Sequence, residues 1–329
     1  MQYWAGTAAI QQPAPPSVVT LGNFDGVHRG HQAVLKLVVE TAQQHDLTSV
    51  AVTFDPHPRL VHLPEEPLVP IVSLPQKIRL LEGCDLDATL VIHYTLDFAT
   101  QSAQAFVENI LVKALNARIV VVGADTRFGA GNTGDIHTLR KLGSIHNFEV
   151  IEVEDVGETE RWSSTWVRET LTKGRVAEAS RILARYHCVE GEIVHGHARG
   201  RELGYPTANF ANDSQGMIPA DGVYAGWFTN GTGQRLPAAI SVGSNPTFND
   251  VVRTVEAHIF DRPEDEELED FNLYGQYCTV EFVARLRGML AFDGLEALIE
   301  QMDHDVKKSR AILHGDAPEI DAPQPRGTH

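Results

Sequence analysis

The run VVTLGNFDGVHRGH, Val18–His31, decides the architecture of the first half of the chain. It opens with β-branched residues suited to a buried strand, passes glycines at 22, 26 and 30, and closes on two histidines where a helical pattern begins. If Val18–Gly22 is a strand and the helix starts between Val27 and Gly30, the helix's first backbone N–H groups lack partners within it. With the helix dipole they form an anion site. The glycines allow close backbone approach, and His28 and His31 share one helical face, from which both can donate to phosphate oxygens. An isolated HxxH is more often a cap or a packed pair, so its meaning depends on what else the chain brings to that place.

The same alternation continues downstream. SVAVTF, ATLVIHY, RIVVVG and FEVIEV are further strand candidates, with helices near 30–45, 97–115 and 136–146. Strand then helix, repeated, indicates an α/β unit with a doubly wound, mostly parallel sheet covered on both faces. Such sheets bind ligands beyond the carboxyl ends of their strands. GNFDGVHRGH, TFDPHP, GADTRFG and SSTWVR each begin where a strand ends or a loop follows, which predicts one cleft. After Tyr186 the texture changes to short strands separated by turn residues: CVEGEIVHG, TANF, GVYAGWFT, LPAAISVG, RTVEAHIF and YCTVEFVARL. That spacing indicates a small antiparallel barrel or sandwich. Leu295, Leu298, Ile299, Met302 and Val306 then recur at helical spacing, predicting one amphipathic helix packed on it. The acidic run DRPEDEELED, 261–270, reads as a solvated loop, and the chain from His314 as a disordered tail. The organisation expected is therefore one module over 1–186, a second over 187–313, and the tail over 314–329.

Composition limits the partners. The chain has 329 residues, enough for two cores, and 44 acidic against 27 basic residues give a formal net charge of -17. With no long Lys/Arg block, nothing would neutralise a row of phosphates, so neither nucleic acid nor an anionic membrane is expected as a partner. The first residues lack a basic start followed by an apolar stretch, and no window approaches the roughly 18 apolar residues of a span, so a cytoplasmic protein is expected. Cys84, Cys188 and Cys278 match neither a disulfide framework nor a CxxC metal site and read as buried thiols. Homo-oligomers are compatible with this composition.

Several stretches suggest chemistry. In SSTWVRE, 163–169, Ser164 or Thr165 can cap a helix, and Arg168 offers a planar fork to phosphate oxygens. Read alone, it is an ordinary helix start. GADTRFGAGNTG, 123–134, is a glycine-dense loop leaving a strand, equally suited to a connector or a binding loop. In GYPTANF, Pro206 fixes the backbone before Thr207, and residues two apart on an extended segment face the same side. The Thr207 hydroxyl and Asn209 amide thus point together, and two neutral oxygens can hold a Mg²⁺ that keeps waters and phosphate oxygens. On VEAHIF, 255–260, Glu256, His258 and Phe260 share the face opposite Val255, Ala257 and Ile259. A carboxylate there could take a proton from a hydroxyl attacking the γ-phosphorus of ATP, although an exposed strand glutamate is the commoner explanation. The HGH at 195–197 lacks a third ligand at metal-site spacing and is not read as a zinc site.

Together these motifs carry a family resemblance. GNFDGVHRGH with TFDPHP, GADTRFG and SSTWVR resembles the N-terminal module of the prokaryotic bifunctional riboflavin kinase/FMN adenylyltransferase family, the FAD synthetases. HGHARGRELGYPTANF, DGVYAG, SVGSNPTF, VEAHIFD and LYG resemble its riboflavin kinase module, and the two cover the chain from about Trp4 to Leu313. The resemblance implies a nucleotidylyltransferase-like sheet, then a six-stranded antiparallel barrel with a C-terminal helix. It implies that His28 and His31 stabilise charge on the triphosphate, that Ser164, Thr165 and Arg168 hold its outer phosphates, and that Asn23 and Asp25 line the site. Phe54, Pro56, His57, Pro58, Asp125 and Phe128 would surround the flavin and its phosphate. Thr207 and Asn209 would be the Mg-ATP ligands, Glu256 the catalytic base, and 195–203 a flap over the nucleotide. Riboflavin, FMN and FAD are then substrates or products, ATP the co-substrate and Mg²⁺ the cofactor. Where the family loop has an aromatic residue, this chain has Thr126, which bears on flavin contacts and leaves the phosphate-binding residues intact. Two alternatives remain at this stage: a nucleotidylyltransferase acting on another phosphorylated acceptor, and a flavin-binding regulatory protein with weak turnover.

Overall fold

The computed structural model describes residues 1–66, 68–154, 157, 161–195, 207–246, 251–261 and 273–315. The acidic run beyond Asp261, the segment 196–206 and the tail from 316 lie outside the described residues. By packing, Met1–Ser163 form one compact unit and the described residues from Ser164 to Gly315 a second.

The first unit is built on β1 (Gln2–Ala5), β2 (Ser17–Leu21), β3 (Thr48–Asp55), β4 (Ala88–His93), β5 (Ala117–Gly123) and β6 (Glu149–Val153). These pair in the order β1-β4-β3-β2-β5-β6, every neighbour parallel. Strands buried on both faces need apolar residues at nearly every position, and all five residues of β2 are buried. Val19, Leu21, Val50, Val52, Leu90, Val120 and Val122 fill one face, against α5 (Ala103–Phe106), the π-helical stretch Val107–Ala114 that continues it, and α6 (Ile136–His146). Val18, Ala51, Ile119 and Val121 fill the other, against α1 (Arg29–His45) and α3 (Leu74–Glu82). The strand order reverses beside β2, which lies between β3 and β5, so the crevice for a ligand opens beyond the ends of β2 and β5.

Two local differences from the sequence expectation have clear causes. The helix expected over 97–115 is interrupted, because Thr95 and Ser102 each accept a backbone N–H three residues on and cap separate helices, α4 (Leu96–Ala99) and α5. The edge strand β1 was not expected. Its four residues are mostly exposed and carry no periodic signal, and it forms by parallel pairing with β4.

The second unit opens with α7 (Ser164–Thr172) and α8 (Val176–Leu183), which pack with a closed antiparallel barrel. Its strands are β7 (His187–Val194), β8 (Thr207–Phe210), β9 (Gly222–Thr229), β10 (Arg235–Pro246), β11 (Val251–Ile259) and β12 (Tyr277–Arg287), in the order β10-β11-β8-β7-β12-β9. Register shifts along β12 against β9, at Phe282/Ala284 and Arg285/Arg287, bend the ladder as closure requires. Tyr224, Phe228, Ile240, Val280 and Phe282 are fully buried. Cys278 is buried as well, and desolvation pushes its thiol up to about 11, which leaves it a packing residue.

Helix α9 (Leu295–His314) lies on the outer wall over Ala225, Ala239, Phe260 and Val283. Its innermost line is Asp305, Ser309 and Leu313, whereas Leu295 is 55% exposed. The stripe read from apolar spacing is therefore rotated. Asp305, 4% exposed, receives a bidentate grip from Arg287 at the end of β12 (Nε to Oδ1 3.1 Å, Nη2 to Oδ2 2.7 Å) and a further bond from Gln301 Nε2 at 2.9 Å. That pair turns the polar line inward. Removing one partner of a buried pair strands the other, so Asp305→Asn should lower the unfolding free energy of this unit by about 3 kcal/mol in denaturant titrations.

His187 supplies a pH-dependent term. It is fully buried, its Nε2 bonds the Met217 carbonyl oxygen at 2.6 Å, and desolvation lowers its pKa from 6.5 to about 4. A depressed histidine stabilises the fold while neutral. Its contribution is complete above pH 6.5 and is lost as pH falls toward 4, amounting to about 3 kcal/mol at about 1.4 kcal/mol per unit. Thermal unfolding of the wild type should therefore fall more steeply between pH 6.5 and 4 than that of His187→Gln.

Candidate active sites

In the first unit the loop 22–28 leaves β2 at the reversal of strand order and is held rigidly. Thr53, buried in β3, donates its hydroxyl to the Asn23 carbonyl oxygen at 3.1 Å. Asp25, 2% exposed, accepts the backbone N–H of Ile71 at 3.0 Å and that of Val72 at 3.4 Å. Phe24, Gly26 and Val27 take positive φ of 46°, 79° and 40°. A side chain on Gly26 would press on Ile71 at 3.1 Å, and for a β-branched residue such as Val27 the conformation is strained, as at many functional turns.

This loop delivers His28 as the N-cap of α1, with the His31 N–H donating to His28 Nδ1 at 3.4 Å. The two rings stack with centroids 3.6 Å apart, and Phe24 packs edge-on to His31 at 5.3 Å. The capping bond uses the Nδ1 lone pair and so puts the proton on Nε2. His28 is thus a neutral Nε2–H donor at the helix N-terminus. Gly30 keeps the entrance open, since a Cβ there would lie 3.2 Å from the His28 ring and 3.4 Å from the Trp162 carbonyl oxygen.

Phe54 is the penultimate residue of β3, and His57 caps the short α2 (Pro58–His62) by accepting the Arg59 N–H on Nδ1 at 3.2 Å, with Pro58 at its first position. Around Phe54 runs an aromatic row: Tyr94 at 5.6 Å, Phe98 at 6.3 Å, then Phe106 and Phe128. His62 Nε2 meets the Tyr94 hydroxyl at 2.8 Å. Tyr94 and Phe98 were missed from the sequence, although Tyr94 follows β4 directly and the rule that singled out the ends of β2, β3 and β5 applies to it equally. Phe128 is buried and pairs its backbone with Gly134, so it underlies this row. Asp125 is exposed and bound to Arg161 Nη2 at 2.6 Å, while Thr126 is half-buried beside it. Ser164, Thr165 and Arg168 open α7 in the second unit, with Thr165 exposed and Ser164 and Arg168 half-buried.

On the barrel, β8 and β11 are neighbours, and their register sets Asn209 opposite Glu256 and Thr207 opposite His258. Ala208, Phe210, Val255 and Ala257 fill the interior, so Thr207, Asn209, Glu256 and His258 share the outer face. Asn209 Nδ2 donates to the Thr207 carbonyl oxygen at 3.2 Å and to its hydroxyl at 3.4 Å, which directs the amide oxygen away from the strand. A neutral hydroxyl and a neutral amide oxygen suit a hard divalent cation that keeps most of its shell, so the donor set fits Mg²⁺. His258 was grouped with Glu256 by alternation, but its place opposite Thr207 requires the strand pairing. Of the expected flap, His195 is described, its ring stacked on Tyr274 at 3.7 Å, and 196–203 lie outside the described residues.

Comparison with known proteins gives a family for each module. Residues 10–166 match the family model for FAD synthetase and residues 183–313 that for riboflavin kinase. The chain is 33% identical over 305 residues to the bifunctional riboflavin kinase/FMN adenylyltransferase of Escherichia coli, spanning 92% of this chain and 95% of that protein. It is 35% identical over 299 residues to the protein of the same name from Listeria monocytogenes, spanning 90% and 92%. Among solved structures, a Streptococcus pneumoniae chain described as a macrolide-efflux protein superposes with a TM-score of 0.83 at 32% identity, covering 94% of this chain and 98% of that one. With two modules in this order and relatives matched nearly end to end, the chain belongs to the bifunctional riboflavin kinase/FMN adenylyltransferase family.

Proposed function

We propose that this protein phosphorylates riboflavin with ATP to give FMN and ADP, then transfers the adenylyl group of a second ATP to FMN, giving FAD and diphosphate. The kinase step is assigned to the module 187–313 and the adenylyl step to the module 1–186, which takes in α7 and α8. One observation carries the reading: on one outer face of the barrel a carboxylate, Glu256, stands in register with an amide, Asn209, next to a hydroxyl, Thr207.

In the kinase step the nucleophile is the terminal ribityl hydroxyl, which must lose its proton as its oxygen attacks the γ-phosphorus. Glu256 accepts that proton while the bond from the γ-phosphorus to the bridging oxygen breaks and ADP leaves. Thr207 and Asn209 supply the oxygens for Mg²⁺, which when bound screens the negative charge of the ATP phosphates. In the adenylyl step the nucleophile is a phosphate oxygen of FMN, already ionised, so no general base is needed. It attacks the α-phosphorus of ATP, and diphosphate departs. The His28 Nε2–H, His31 and the positive end of the α1 dipole stabilise the charge that develops. Asn23 and Asp25 shape the loop, and Ser164, Thr165 and Arg168 hold the outgoing phosphates. Phe54 and the residues 56–58 provide the flavin platform, with Tyr94 and Phe98 extending it and Asp125 and Phe128 at its far side.

The cytoplasm is the expected location. An efflux role is not carried over from the pneumococcal structure's description, because the matched family models are those for FAD synthetase and riboflavin kinase and the curated relatives are named for both activities. A riboflavin kinase module on the same chain also argues against an acceptor other than FMN.

Two substitutions separate the steps. Glu256→Gln should slow riboflavin phosphorylation by about 10²–10⁴-fold, as loss of a general base does, while added FMN is converted to FAD at the wild-type rate. Chromatography of riboflavin, FMN and FAD reads both. His28→Asn retains a cap acceptor and therefore the melting temperature, yet should slow FAD formation by about 10²-fold and make FMN accumulate. Equal loss of both activities in either variant would contradict the division of labour.

A further inference from the structure

One buried cation beneath the first unit's cleft has no part in the steps above. Lys77 lies in the first turns of α3 and is 6% exposed, unusual for a lysine. Its Nζ donates to the Phe54 carbonyl oxygen at 3.5 Å, at the end of β3. Its charged neighbours are Asp25, in the loop after β2, and Asp55, the last residue of β3. Burial pushes the ammonium below the ordinary lysine range and the two carboxylates pull it back. Position is set independently of charge: Asp25 binds the N–H groups of Ile71 and Val72, and Ser73 with Gln76 forms a capping box that starts α3. Lys77 is thereby brought under the loops bearing His28 and Phe54.

A site that takes ATP and FMN must admit two highly charged anions, yet two carboxylates occupy its floor. In a partly desolvated cleft an uncompensated carboxylate repels phosphate strongly. We propose that Lys77 is a positioning residue of the adenylyl site, whose ammonium offsets Asp25 and Asp55 so that the loops 22–28 and 54–58 present a surface open to anionic substrates. This rests on the assignment of the adenylyl step to the first module. Lys77 touches neither substrate, and its effect reaches them through the two aspartates and the Phe54 backbone.

The test compares wild type, Lys77→Arg, Lys77→Met and Lys77→Met/Asp55→Asn as full-length proteins, with riboflavin phosphorylation in each sample as an internal control. Lys77→Met should raise the KM for ATP and for FMN in FAD formation by about tenfold or more, with a smaller fall in kcat and kinase rates within about twofold of wild type. Lys77→Arg should restore most of the loss, and removing the stranded carboxylate in the double variant should return both KM values to within about threefold of wild type. If Lys77→Met lowers only the melting temperature and leaves both KM values unchanged, Lys77 is structural and the inference fails. A double variant as impaired as Lys77→Met also overturns it, since charge compensation predicts rescue. Wild type that phosphorylates riboflavin but forms no FAD would sink the assignment of the cleft, and this inference with it.

Discussion

The proposed adenylyl site depends on one buried carboxylate. Asp25 is sealed from solvent and spends its oxygens on two backbone N–H groups, at Ile71 and Val72, before α3. A loop carrying positive φ at three positions would not keep its form unaided, because each bulky residue there costs about 1–3 kcal/mol. The Asp25 bonds, with Thr53 holding the Asn23 carbonyl, make that conformation the one the surroundings require. His28 then arrives at the end of α1 in cap geometry. A single carboxylate thus sets the entry angle of a helix, the tautomer of a histidine and the start of α3.

On the barrel the equivalent constraint is register. Glu256, Asn209 and Thr207 come from segments far apart in sequence, and antiparallel pairing of β8 with β11 makes them neighbours. A slip by one residue would turn Glu256 into the barrel interior and Val255 outward, exchanging a buried apolar side chain for a buried charge. The interior residues Ala208, Phe210, Val255 and Ala257 therefore protect the chemistry by making every other register costly. Helix α9 closes the wall farther along, and the Arg287–Asp305 pair determines which of its faces is covered.

Strands were legible where burial demanded it: β2, β4 and β5 run largely apolar, β3 has an apolar middle, and β6 and the barrel strands alternate in part. What escaped notice had no such imprint. β1 is exposed and short, and its pairing with β4 depends on partners far away in sequence. The rotated face of α9 could not be read from apolar spacing, because its innermost line includes Asp305 and Ser309. The histidine motif was legible as a pair of donors, but the use of one ring nitrogen as a cap depends on the direction of the backbone entering α1. Lys77 illustrates the hardest case. A lysine amid LPQKIRLLE reads as a solvated helix residue, and only the placement of two aspartates from other segments makes its burial tolerable.

The two proposed sites differ in a way that follows from their nucleophiles. Riboflavin offers a hydroxyl, whose proton must go somewhere as the new bond forms, and the barrel presents a carboxylate on an accessible outer face. FMN offers a dianion-like phosphate that needs no deprotonation, and a free carboxylate near it would only repel it. The first unit nevertheless contains carboxylates at the ends of β2 and β3. Asp25 is consumed by backbone N–H groups and Asp55 lies beside a buried ammonium, so neither is available as a base. The groups at the proposed site are instead the cap histidine, its stacked neighbour and the N-terminus of α1. In this reading, chemistry that needs a base has a half-buried carboxylate on the barrel's outer face, and chemistry that needs only anion binding has its carboxylates tied down.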